Sequence, residues 1–135
     1  MNVVAYADGA SRGNPGPSSY GVAVFDSEGK ELHRSSRALG HGTNNQAEYQ
    51  GAIAALEAAL GLGARDVELR MDSELVVRQL SGRYKVRNPK LARLYKRILD
   101  LRSRFDRVAL VHVPRAQNAV ADALANEALD QVAGR

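Results

Sequence analysis

Residues 3–39 read VVAYADGASRGNPGPSSYGVAVFDSEGKELHRSSRAL, and this stretch decides the fold class. Val3 to Asp8 is a short apolar run that ends in an acid. Gly9 to Ser19, crowded with Gly, Ser, Asn and Pro, is expected to be a loop. Tyr20 to Asp26 alternates around Val22 and Val24, and Ser27-Glu28-Gly29-Lys30 has the composition of a hairpin turn into Glu31 to Leu39. Together these segments predict a meander of three antiparallel strands.

Beyond Gly40-His41-Gly42 the period changes. Thr43-Asn44-Asn45 offers a helix cap, and Gln46 to Leu60 follows at helical spacing until Gly61 and Gly63 stop it. One face of this helix carries Glu48, Ala52, Ala55 and Ala59, small enough to sit close to a sheet. Asp66 to Met71 alternates as a strand and Ser73 to Leu80 reads as a short helix. Pro89 suits the first turn of a helix whose apolar stripe is Leu91, Leu94, Ile98, Leu101 and Phe105. Val108 to Val113 is a further strand, and a last helix is expected from Asn118, as its cap, to Asp130. The order βββαβααβα predicts one α/β domain over residues 1–135, with a mixed sheet and helices on its faces.

The 135 residues are 44% hydrophobic and 25% charged, which suits a folded core and argues against disorder. No run approaches about 18 apolar residues, and the first residues lack the basic start and apolar centre of a signal peptide, so the expected compartment is the cytoplasm and no membrane is expected as a partner. With no cysteine, thiolate chemistry is excluded, and any metal must be held by oxygen or imidazole. The net charge of +4 conceals a division. Arg78 to Arg107 holds 11 basic residues against Asp100 and Asp106, a charge of +9, so the rest of the chain stands at −5. A polyanion on one side and acids with a separate role on the other are expected.

Most acids fall in turns or on exposed faces, but Asp8 and Asp72 end apolar strands, while Glu48 lies in the first turn of one alanine-rich helix and Asp122 in the opening turns of another. Ligand crevices of open α/β sheets lie beyond the carboxyl ends of strands, so these acids can share a site. Four crowded carboxylates repel one another, and hard divalent cations relieve that repulsion. Oxygen ligands without thiols favour Mg²⁺ or Mn²⁺ over zinc, and a pair of such ions about 4 Å apart is suited to in-line phosphodiester cleavage.

Four segments, in order, carry a resemblance: Tyr6-Ala7-Asp8-Gly9-Ala10-Ser11 with Gly13-Asn14-Pro15-Gly16; Thr43-Asn44-Asn45-Gln46-Ala47-Glu48; Asp72-Ser73; and Asn118 to Ala125. Together they resemble ribonuclease H type 1, which cuts the RNA of RNA/DNA hybrids. The resemblance implies an RNase H-like fold, a five-stranded mixed sheet with three antiparallel strands and then two parallel ones, flanked by helices. It implies that Asp8, Glu48 and Asp72 hold one Mg²⁺ and that Asp8 and Asp122 hold a second, with Mn²⁺ as a substitute. The implied products carry 5′-phosphate and 3′-hydroxyl ends, and no protein nucleophile is needed. Ser11, Arg12, Gly13, Asn14, Asn44 and Asn45 are implied contacts to the RNA strand, Thr43 and Asn88 grip a DNA phosphate, and Tyr84 packs along the DNA backbone. RNA is told from DNA by its 2′-hydroxyls.

Three departures from the family pattern stand out. The loop Pro114-Arg115-Ala116-Gln117-Asn118 has no mobile histidine, His112 lies inside the preceding strand in an expected structural role, and Arg115 is the candidate to attract a phosphate instead. Leu80 to Leu91 is too short for an extra basic helix, so Lys90 to Arg104 with Arg83, Lys85 and Arg87 must supply most phosphate contacts. Glu74 and Arg78 stand where relatives often have glutamine. A non-catalytic hybrid-binding module and another nuclease of this fold, such as a resolvase, are the alternatives. Nothing in the sequence points to oligomers, and a monomer is expected.

Overall fold

In the computed structural model, which describes residues 1–83 and 85–133, β1 (Asn2–Ser11), β2 (Gly16–Asp26) and β3 (Glu31–Gly42) form the antiparallel meander. The chain continues through α1 (Asn44–Gly61), β4 (Asp66–Met71), α2 (Glu74–Leu80), α3 (Pro89–Arg102), β5 (Arg107–His112), a 3₁₀ turn (Arg115–Asn118) and α4 (Ala119–Ala133). The sheet order is β3-β2-β1-β4-β5, with β4 parallel to both β1 and β5. The five-stranded mixed sheet is therefore present as expected. Among the described residues no helix is long and apolar enough to cross a membrane.

Alternation sorts the two faces of the sheet. Val3, Ala5 and Ala7 of β1, Val22 and Val24 of β2, and Val67, Leu69 and Met71 of β4 join the buried face of α1 in one core, which extends to Leu91, Ile98 and Leu101 of α3. Each fully buried Leu, Ile, Val or Met contributes about 1.5–3 kcal/mol relative to exposure. Arg102 secures α3 by donating Nη1 to the Leu80 carbonyl at 2.8 Å. On the opposite face α4 lies against β2, burying Ala121, Leu124 and Ala125. A Cβ on Gly21 would collide with the Ala121 carbonyl and the Ala125 amide, so only glycine permits this approach.

Several boundaries differ from expectation. Gly9 to Ser19 is not a loop: Gly9 to Ser11 pair with Ser18 to Tyr20, leaving only residues 12–15 between strands. Small residues that signal turns serve here as strand, because Ser19 is fully buried and donates Oγ to the Ala125 carbonyl at 2.5 Å, and Ser18 donates to the Gly40 carbonyl at 2.8 Å. β3 likewise runs on to Gly42, since Gly40 to Gly42 pair with Gly16 to Ser18. Helix α1 begins at Asn44 behind a Thr43–Gln46 capping box, so Glu48 falls in its second turn. Asn118 does not cap α4. It ends the 3₁₀ turn, fully buried, and donates Nδ2 to the Ala7 carbonyl at 3.0 Å.

Candidate active site

β1 outruns β4. Their pairing ends at Tyr6 with Arg70, so Asp8 lies within β1 but past the last β4 partner, where Asp72 has just left Met71. Asp8 thus does not end its strand, yet it reaches the crevice at the carboxyl end of β4 all the same. Glu48 arrives from α1, which can come close because a side chain on Gly9 would strike the main chain of Ala47 and Glu48. The Gly9 amide donates to Glu48 Oε1 and fixes that carboxylate. One oxygen each from Asp8, Glu48 and Asp72 lies within 4.8 Å of the others. Asp122, in the first turn of α4, stands outside this triad but lines the same hollow as Asp8.

Burial and repulsion strain the charges. Asp8 and Glu48 are 6% and 5% exposed. Desolvation, then Glu48, Asp72 and Asp122, holds the Asp8 carboxyl far above the usual carboxylate range. Desolvation likewise raises Glu48, with Asp72 adding to it and the Gly9 amide opposing it. An all-oxygen donor set with this surplus of negative charge fits a hard divalent cation.

The cluster opens into a hollow of about 570 Å³ that also takes in Ser11, Asn44, Asn45, Arg115 and Asn126. Ser11 Oγ donates to Asn44 Oδ1 at 2.8 Å and the Asn44 amide donates to Asn14 Oδ1 at 3.1 Å, so the two loops expected to meet RNA are tied to each other. Gly13 is exposed in the intervening loop. Arg12 is instead paired with Asp130 of α4 and reaches the Asn126 carbonyl at 3.5 Å. Thr43 and Asn88 act as helix caps, Asn88 Oδ1 accepting from the Lys90 and Leu91 amides at 2.9 and 3.2 Å. Arg115 is 80% exposed, with Nη2 3.7 Å from Asp122 Oδ1. Tyr84 lies outside the described residues. His112 closes β5, exposed and paired with Met71.

Asn126 is a site residue that the sequence pattern did not single out. Its Nδ2 donates to the Asp122 carbonyl at 3.0 Å and to Asp122 Oδ1 at 3.3 Å. The spacing of four residues along a helix is the one signal that could have found it.

A family model described as Reverse transcriptase-like matches residues 6–128. A ribonuclease HI of Halobacterium salinarum is 51% identical over 128 residues, covering 95% of this chain and 64% of the relative. The crystal structure of RNase H1 from that archaeon superposes with a TM-score of 0.94 at 50% identity, over 97% of this chain and 99% of the other. The chain belongs to the ribonuclease H type 1 family. Two further ribonuclease H structures are similar. The N-terminal RNase H domain of a Mycobacterium tuberculosis protein gives a TM-score of 0.96 at 49% identity, covering 99% and 97% of the two chains. LC11-RNase H1 in complex with an RNA/DNA hybrid gives 0.91 at 44%, covering 96% and 98%. The chain spans 37% of the length of the bifunctional M. tuberculosis relative and 64% of the halobacterial one.

Proposed function

We propose that this ribonuclease H chain is an endonuclease that hydrolyses the RNA strand of RNA/DNA hybrids, leaving 5′-phosphate and 3′-hydroxyl ends. The observation that carries this reading is the meeting of Asp8, Glu48 and Asp72 within 4.8 Å, with Asp122 lining the same hollow. Asp8, Glu48 and Asp72 would hold one Mg²⁺ and Asp8 with Asp122 a second, with Mn²⁺ as a substitute, and such ions when bound would offset the crowded negative charge and supply Lewis-acid activation of the water and of the leaving oxygen.

The protein's own groups orient the rest. The Gly9 amide keeps Glu48 aimed at the cluster. Ser11, Asn14, Asn44 and Asn45, with the Arg12 and Gly13 peptide groups, read 2′-hydroxyls across the minor groove. Thr43 and Asn88 hold a DNA phosphate, Tyr84 packs on the DNA backbone, and the basic face of α3 tracks phosphates beyond it. Arg115 attracts the phosphate being cut. Residues 1–135 act as one domain, monomeric and in the cytoplasm.

The deciding experiment offers RNA/DNA hybrid, duplex DNA and duplex RNA with Mg²⁺, Mn²⁺ or EDTA, to the wild type and to Asp72→Asn. Cutting of the hybrid's RNA strand alone, abolished by EDTA and by Asp72→Asn, is expected. Cleavage of duplex DNA, or cleavage that survives either treatment, overturns the reading, and tight hybrid binding without any cleavage would instead favour a non-catalytic module.

A further inference from the structure

Asp122 takes its orientation from side-chain contacts. It lies outside the triad, half-buried, whereas Asp8 is fixed within a strand and Glu48 is held by a backbone amide. Two groups reach its Oδ1. Arg115 does so at 3.7 Å from a side chain that is 80% exposed, an ion pair that solvent screening and side-chain entropy leave weak. Asn126 does so at 3.3 Å, from one helical turn further along α4, and the same Nδ2 also bonds the Asp122 carbonyl at 3.0 Å.

We propose that Asn126 is a positioning residue that keeps Asp122 in its cation-holding orientation. This rests on the hydrolase reading above and deepens it. The chemistry suits such a role, because a neutral amide fixes one carboxylate oxygen without cancelling the charge that a divalent ion needs, while a cation on that oxygen competes with the ion. Asn126 and Asp122 share one rigid helix, so the bond persists when the long Arg115 side chain swings away toward a phosphate. Arg12 steadies the same turn from the far side, since it pairs with Asp130 and meets the Asn126 carbonyl. A carboxylate orienter of this kind is worth about 10–100-fold in metal affinity or activity.

The test compares wild type with Asn126→Ala and with Asn126→Leu, which keeps much of the side-chain volume but loses the donor. Two cation readouts are taken: Mn²⁺ uptake by calorimetry, which requires no catalysis, and the Mg²⁺ concentration that half-saturates hybrid cleavage. A weakening of about 10-fold or more in either, at unchanged KM for hybrid and with lost rate recovered by excess Mg²⁺, is the expected result. Both cation readouts matching the wild type, or a raised KM with cation affinity intact, overturns the proposal. Wild-type protein that takes up Mn²⁺ yet leaves hybrid uncut overturns the hydrolase reading alone, because the calorimetry still decides the role of Asn126.

Discussion

The Nδ2 of Asn118 donates to the carbonyl of Ala7 at 3.0 Å, joining the residue before Asp8 to the turn that launches the helix bearing Asp122. The bond is fully buried, and the Asn118 Oδ1 has no hydrogen-bond partner among the described residues. Asn118→Ala removes this buried donor from the Ala7 carbonyl and opens a small void. A loss of about 1–3 kcal/mol in a urea melt is expected, with a larger proportional loss of cleavage rate because two of the acids lose their common reference. Stability equal to that of the wild type would show the bond to be dispensable.

The raised carboxyls give the metal-free protein a pH dependence of definite sign. Asp8 and Glu48 bind protons more tightly folded than unfolded, so the folded state holds more protons between the ordinary range near pH 4 and the alkaline values of the native site. Stability from these groups is therefore present in full below about pH 4 and is lost as pH rises through the native values. With EDTA, Tm should fall as pH rises from about 7 to about 9. Mg²⁺ should offset that fall and release protons when it binds at about pH 7, which calorimetry in buffers of different ionisation enthalpy detects. Metal binding without proton release contradicts this.

Gly21→Ala tests how close α4 must lie to the sheet. The new methyl meets the Ala121 carbonyl and the Ala125 amide, both main chain, so the helix must shift. Overpacking of this kind costs about 1–3 kcal/mol or more, and Asp122 moves with the helix. Thermal unfolding and hybrid cleavage should both suffer, and a fully active Gly21→Ala protein would mean that α4 tolerates displacement.

The basic face of α3 predicts a steep dependence on salt. Arg97 and Arg104 are engaged by Asp100 and, for Arg97, Glu57, while Lys90, Arg93 and Lys96 have no acidic partner within 4.0 Å among the described residues. Changing Lys90 and Arg93 to Ala should lower the slope of log binding constant against log salt by about one unit each. Hybrid binding by the wild type that ignores salt would remove α3 from the interface.

Arg115→Ala separates binding from turnover. Its guanidinium is exposed beside Asp122, so hybrid affinity should change little while the rate falls by about 10-fold, the scale of one charge-assisted contact. An unchanged rate removes Arg115 from the mechanism.

Regular period made most of the fold legible. The alternating Val22 and Val24 of β2, the alternating Val67, Leu69 and Met71 of β4, and the small face of α1 have one reading each. Ser18 and Ser19 were opaque, because nothing local separates a turn serine from one buried under a helix with its hydroxyl on a main-chain carbonyl. Asn118 misled for a related reason: an asparagine before a helix ordinarily caps it, and only the distant Ala7 carbonyl redirects this one. The four acids were legible as a set, since two apolar runs lead into Asp8 and Asp72 and two alanine-rich helices carry Glu48 and Asp122 near their starts. What held each acid was not, as Gly9 and Asn126 act through main-chain contact and helical proximity rather than through a motif.

The contact at Gly9 reaches beyond this chain. The main chain of β1 and that of α1 approach so closely there that no side chain fits between them, and the Glu48 carboxylate is gripped through the same gap. The acids are consequently inseparable from the bare strand beside them. Grafting this centre onto another sheet requires transplanting a glycine next to the strand aspartate, because without that close approach the helix glutamate would stand too far from the strand carboxylate.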